Sequence, residues 1–238
     1  MAALSVASSL GAPVLLIGGW TVAAGRQVGG FDPVSRSISA LAAFGADDRW
    51  IMTTALAGVG VCHLVTASGL RAAATAGRSL LALGGVATVL VAVFPLGPGG
   101  APGVHAAVAG VAFAALAVWP AASWSRGSGR PWPLRPPGAF GACVVLLAAV
   151  GWFAAELGGG IHLGSAERWA AGAQAVWPLV VAGSCRSGRP WKARLPVLSD
   201  STPSMDRGPR AVAPPQLNAS GSNGRSNQQI DPERTAGG

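Results

Sequence analysis

The stretch "SISALAAFGADDRW" occupies Ser37–Trp50, and the next 20 residues, Ile51–Leu70, carry no formal charge. A helix bathed in water keeps one polar face, and this run offers only scattered hydroxyls, glycines and His63 in place of one. Its length matches the roughly 20 apolar residues that a helix needs to cross the hydrocarbon of a bilayer. The charges at Asp47, Asp48 and Arg49 then mark the place where the chain meets the headgroups. Asp47 or Asp48 is expected to cap the free amides of the helix that follows and to complement its dipole, with Trp50 at the interface.

The same pattern recurs along the chain. Six segments have the required length and character: about Ser5–Ala24, Trp50–Leu70, Ser79–Leu96, His105–Ser123, Ala139–Leu157 and Trp169–Cys185. They are rich in Ala, Gly and Val, which favours close backbone approach between helices in lipid. Backbone amides and carbonyls inside a bilayer must be satisfied within the segment, so helices are expected and not strands. The whole composition agrees. Half of the 238 residues are hydrophobic and 11% are charged, with a mean hydropathy of +0.45, against roughly 25% charged in a soluble domain. Trp20, Trp50, Trp119, Trp124, Trp152, Trp169 and Trp177 lie near the segment ends, where indoles favour the headgroup level.

The net charge of +8 does not point to nucleic acid, because the cations sit at segment ends and in the tail and not on one folded face. They read instead as topology. Arg71 and Arg78, then Arg126, Arg130 and Arg135, then Arg186, Arg189, Lys192 and Arg194 occupy alternate connections and the last exit. The intervening connections hold Arg26, Arg36 and Arg49, then none, then Arg168. Counting cations puts both termini in the cytoplasm of a cell with this protein in its inner membrane. Residues 1–186 are expected to form the six-helix domain. Residues 187–238 are a basic juxtamembrane segment followed by a disordered tail rich in Ser, Pro, Gly, Asn and Gln, a composition that buries no core. Arg186, Arg189, Lys192 and Arg194 are expected to hold anionic lipid headgroups. The first segment lacks the cationic start of a signal peptide and is read as retained.

Several polar residues ask for more than topology. On the outer side, the reading collects Ser37, Ser39, Asp48, Arg49, His105, Glu156, His162, Glu167 and Arg168. Ser35, Ser37 and Ser39 alternate with other residues after "FDP", so this loop is expected to dip back as a strand or an interfacial helix and to form a lid if it folds over the bundle. Imidazole and carboxylate together suit acid–base work or zinc, yet no HExxH or comparable spacing occurs, and no metal or other cofactor is assigned. Inside the membrane lie His63, about 20 Å along its helix at 1.5 Å per residue, and Gln174. His63 is read as an interhelical hydrogen-bonding residue ahead of a functional one. His63 and His105 sit at different depths, against a bis-histidine haem. Cys62, Cys143 and Cys185 have no CxxC spacing and read as small packing residues.

The runs "FDPVSRSISALAAFGADDRWIMTTALAGVGVCHLVTASGL", "ALGGVATVLVAVFPLGPGGAPGVHAAVAGVAFAALAVWP" and "ERWAAGAQAVWPLVV" resemble the uncharacterised bacterial and archaeal membrane family DUF 998, particularly its actinobacterial members, over roughly residues 10 to 185. The resemblance implies a multi-helix integral membrane protein and supplies no catalytic residue. The reading of the chain is therefore an all-α polytopic membrane protein without a diagnostic catalytic motif. Binding or transport of a lipid or weakly polar small molecule stands ahead of an outer-face hydrolase or a structural membrane partner, and the oligomeric state is left open.

Overall fold

The long uncharged segments fold as helices because each can satisfy its own backbone in hydrocarbon. The computed structural model describes residues 2–126 and 129–187, all within the unit Met1–Leu195. The long helices are α1 (Ala2–Gly25), α3 (Trp50–Gly69), α4 (Thr75–Val93), α5 (Pro102–Ser123), α6 (Pro136–Glu156) and α7 (Leu163–Ser187), with a four-residue α2 (Ile38–Leu41) in the first connection and a single turn, Trp132–Leu134, before α6. No strand occurs among the described residues. Arg189, Lys192, Arg194 and the tail lie outside them.

Five helices, α1 and α3 to α6, are long and apolar enough to cross a membrane. The sixth expected span, Trp169–Cys185, falls within α7, which is 25 residues long and is not among these five. The reason is chemical: Glu167, Arg168, Gln174 and Arg186 lower the hydropathy of α7 along its length. It is nonetheless part of the bundle. Each long helix packs on its neighbours in the order α1, α3, α4, α5, α6, α7, and α7 closes the ring by packing on both α6 and α1.

Glycine lets α3 and α4 cross closely. A Cβ on Gly60 of α3 would fall 2.5 Å from the Gly85 carbonyl oxygen of α4 and 2.6 Å from Val89 Cγ2; one on Gly85 would fall 2.8 Å from the Gly60 oxygen. The two backbones therefore touch directly, as small residues permit in lipid. Further along, Gly77 of α4 leaves no room for a side chain against Ser123 of α5.

Connections alternate between two ends. At the terminal end, where α1 begins and α7 finishes, Ala74 N donates to Ser123 O and Arg130 Nη1 to Ala72 O. At the long-connection end, Phe44 N donates to Leu96 O at 2.7 Å, and Ser165 N to Val34 O at 3.0 Å. The first connection thus folds across α4, α5 and α7, with Ile38 and Leu41 buried beneath it. The lid-like geometry foreseen for the "FDP" loop is what forms, and its regular part is a helical turn and not a strand.

Two local expectations are overturned. Neither Asp47 nor Asp48 caps α3, whose first residue is preceded by Arg49 with no side-chain cap. Asp48 has a left-handed backbone, φ 47°, and its carboxylate instead accepts from Arg26 Nε at 3.0 Å and from Trp50 Nε1 at 3.3 Å, while Asp47 accepts from Val28 N. Both tie the end of α1 to the start of α3. Trp119 is not an interfacial anchor either: it is 0% exposed, inside the cluster around Leu81, Leu134 and Val181. Trp50 and Trp169, by contrast, are 62% and 68% exposed.

Because the α3–α4 crossing has no space for a branched side chain, Gly60→Val is expected to cost about 1–3 kcal/mol of stability. Gly183→Ala, which meets open space, should leave the Tm in detergent unchanged. Equal melting of both variants and the parent protein would refute the close crossing.

Candidate functional site

The first turns of α7 organise the long-connection end. Glu167, 4% exposed, accepts from the Ile38 amide and from Ser39 Oγ, the latter at 3.2 Å. Ile38 opens α2, so its amide is among the helix donors without an intrahelical partner, and a carboxylate from a distant part of the chain satisfies it. Ser37 completes that turn by accepting from Ala40 N. Next to Glu167, Arg168 Nη1 donates to Pro33 O at 2.7 Å, Arg36 O at 3.0 Å and Gly164 O at 2.9 Å. Its guanidinium also lies 5.7 Å from the Phe31 ring and 5.8 Å from that of Trp20. Gly164 lets the loop come this close, since any Cβ would strike the Pro33 and Arg36 carbonyls. Within the loop, the Ser35 hydroxyl and the Val34 amide hold the Asp32 carboxyl below its ordinary pKa.

Below this latch the ring is not filled. A chamber of about 70 Å³ is lined by Leu56, Val59 and His63 of α3, Thr88 and Val91 of α4, Ala112, Phe113 and Leu116 of α5, and Glu167, Ala171 and Gln174 of α7. These spacings of three and four residues put each set on one helix face. Glu167 and Gln174, seven residues apart, are separated by about 10 Å along α7. A second cavity, about 400 Å³, opens between α5 and α6. Ser37, Ser39, His105, Ala106, Gly110 and Phe113 border it on one side, and Val150, Phe153, Ala154 and Leu157 on the other. The two cavities share Ser39, Ala109, Phe113 and Glu167. Phe113 meets Phe153 of α6 with ring centroids 5.1 Å apart.

The hydrogen bonds decide what these walls offer. Gln174 Nε2 donates to Phe113 O at 2.9 Å, which orients the amide and leaves Oε1 an acceptor with no hydrogen-bond donor among the described residues. His63 is 1% exposed, and neither ring nitrogen has a hydrogen-bond partner among the described residues; Nδ1 is wholly enclosed. The expected interhelical hydrogen bond of His63 is therefore absent there. Leaving a buried polar group unpaired costs about 1–3 kcal/mol, so the His63 ring favours a group in the chamber that can hydrogen-bond to it. His105 is buried at the rim with Nδ1 2.8 Å from Phe94 O. A carbonyl only accepts, so Nδ1 donates to it.

The outer polar group read from sequence thus divides. Ser37, Ser39, His105 and Glu167 border the cavities, and Arg168 fastens the loop beside them. Glu156 and His162 lie apart: the Glu156 carboxylate accepts from Trp152 Nε1 and His162 N, and neither residue lines the chamber or the α5–α6 cavity. Asp48 pairs with Arg26, while Arg49 donates to Ala42 O and stacks 4.5 Å over Phe44. Among the described residues no three His, Cys, Asp or Glu side chains are placed to hold a metal. Thr88, Phe113 and Phe153 escaped the sequence reading. Nothing in the sequence singles them out, because they lie on three different helices and come together only once α4, α5 and α6 are packed.

A family model described as a protein of unknown function, DUF998, matches residues 9–184. The chain belongs to this family. The match begins within α1, takes in α3 to α6 and the loop latched by Glu167, and stops just before the end of α7. Comparison with curated proteins and with solved structures finds no match. The DUF998 chain is thus an integral membrane protein whose activity has to be argued from its own geometry.

Glu167→Gln keeps the side-chain shape but presents an amide NH2 to one of the two donors. With one buried donor unmet, at about 1–3 kcal/mol, amide exchange at Ile38 is expected to rise tenfold or more while exchange in α3 and α4 stays unchanged. Unaltered protection of Ile38 would refute the latch.

Proposed function

We propose that this protein binds an amphiphilic lipid or weakly polar small molecule drawn sideways from the bilayer, and carries or presents it at the long-connection end. The observation that supports the reading is the cleft between α5 and α6, mostly apolar with Ser37, Ser39, His105 and Glu167 at one wall, that shares four residues with a chamber holding His63 and Gln174. Its volume of about 400 Å³ falls in the range of small-molecule sites, which are mostly apolar with a few placed polar groups. α6 has few buried residues, Ala139, Cys143 and Leu146, all in its terminal-end half, so its other half is free to face lipid and bound chain together.

The distribution of cations supports an orientation with both termini in the cytoplasm and the cleft in the outer half of the cell membrane. Arg71, Arg78, Arg126, Arg130, Arg135 and Arg186 lie at the terminal end, against Arg26, Arg36, Arg49 and Arg168 at the other, and short connections with more cations stay cytoplasmic. Arg71 and Arg186 also border a cavity of about 620 Å³ between α1, α3 and α7 at the terminal end, which supports contact with anionic headgroups there. The hydrolase reading draws no comparable support, because Glu156 and His105 do not border one cavity.

Ala106 and Ala154 are exposed on opposite walls of the cleft. Ala106→Trp combined with Ala154→Trp is expected to remove co-purifying lipid seen by native mass spectrometry of the gently extracted protein, with the Tm unchanged. Retention of the same lipid at the same stoichiometry by the folded double variant would count against the cleft as the site.

A further inference from the structure

Resting on the reading of the cleft as a lipid site, we infer that the chamber selects the head of the bound molecule, and that this head is an uncharged hydroxyl on a long apolar chain. Three observations converge. Charge comes first: no lysine or arginine lines either cavity, and the one formally charged side chain is Glu167, whose oxygens are already engaged by Ile38 N and Ser39 Oγ. A phosphate or carboxylate head would enter with no lining cation to compensate it, and an unpaired ion in such surroundings is strongly disfavoured.

Hydrogen-bonding capacity comes second. Gln174 Oε1 only accepts, and Nε2 of the same amide is committed to Phe113 O. His63 adds an imidazole with no partner among the described residues, buried and lining the same chamber. Neutral imidazole offers one donor and one acceptor, so the pair requires a ligand group that both donates and accepts. A hydroxyl does so; a ketone or an ester carbonyl has nothing to give to Gln174. Size comes third. About 70 Å³ has room for a few water-sized groups, which accommodates the hydroxyl-bearing end of a chain and not a sugar. The apolar remainder would pass Phe113 and lie along α5 and α6. His63 and Gln174 are thus assigned as the residues that recognise the head of the molecule, and Phe113 as the collar where head and chain meet.

Three probes with the same acyl chains separate the possibilities: dioleoylglycerol, its 3-acetyl ester, which lacks the hydroxyl, and dioleoylphosphatidic acid. Each is offered to the full-length protein in mild detergent, and retention is read by native mass spectrometry. Dioleoylglycerol should be retained about fivefold or more above either analogue, the worth of one or two buried hydrogen bonds. His63→Leu and Gln174→Met should each erase that preference, while His63→Asn, which keeps a donor and an acceptor, should restore part of it. Equal retention of the acetyl ester overturns the hydroxyl requirement, and preferential retention of phosphatidic acid overturns the uncharged head. Both outcomes leave the lipid-binding cleft standing. If the wild-type protein retains none of the three, and the tryptophan-filled cleft variant behaves identically, the cleft reading falls and this inference with it. The comparison among probes uses the wild-type chain, so it decides the matter even where a substitution at His63 or Gln174 prevents folding.

Discussion

A chain in hydrocarbon has no water to satisfy its amides and carbonyls, and every other feature of this protein follows from that constraint. It forces the apolar segments into helices, and it removes the hydrophobic effect as a force between them, because lipid tails are as apolar as the side chains they touch. What remains is close packing and the few hydrogen bonds that polar side chains make. Gly60 against Gly85 is the first kind of contact, and Glu167 reaching the Ile38 amide is the second.

These two contacts sit in different places and do different things. The glycine crossing draws α3 and α4 together on one side of the ring. On the other side, α6 buries only three residues, all in one half of its length, and the α5–α6 cleft opens where its packing ends. Small residues do not pack on a neighbour wherever they occur: Gly141 and Gly151 of α6 meet nothing within 4 Å, while Gly60 and Gly85 meet backbone. The ring therefore has an interior chamber that shares wall residues with the cleft on the loose side and is roofed by the first connection at one end. The roof is held by polar contacts throughout: Glu167 to α2, Arg168 to the Pro33 and Arg36 carbonyls, Ser165 to Val34. α7 accordingly gives up apolarity, and it is the one long helix whose composition falls short of a membrane span.

Polar residues that looked alike in sequence prove to have unlike work. Glu156 and Glu167 both border the same short connection, yet Glu156 staples its own loop through Trp152 and His162 while Glu167 reaches across the fold. Asp47 and Asp48 precede a helix in a position suited to capping, and the end of α1 claims them instead, because Arg26 and the Val28 amide come within reach only after α1 and α3 pack. Trp119 has the position of an interfacial anchor and is enclosed by Leu81, Leu134 and Val181. Local rules act on what is nearby in the chain, and these residues answer to neighbours that the chain brings in from elsewhere.

The sequence by itself determined the class of the molecule: helices, their number and approximate bounds, and membership in a membrane-embedded family, because length and apolarity are local properties that a bilayer reads segment by segment. It also named His63, Gln174, Ser39 and Glu167 as polar groups in need of explanation. Only the tertiary structure decided that these four share one interior space, that Phe113 joins it to a cleft against α6, and that, among the described residues, His63 has no hydrogen-bond partner and Gln174 Oε1 no donor. The reason is physical. Depth along a helix follows from counting residues, but the direction a side chain faces around the ring depends on which helices are neighbours, and in lipid that choice rests on small residues and sparse hydrogen bonds scattered across the whole chain.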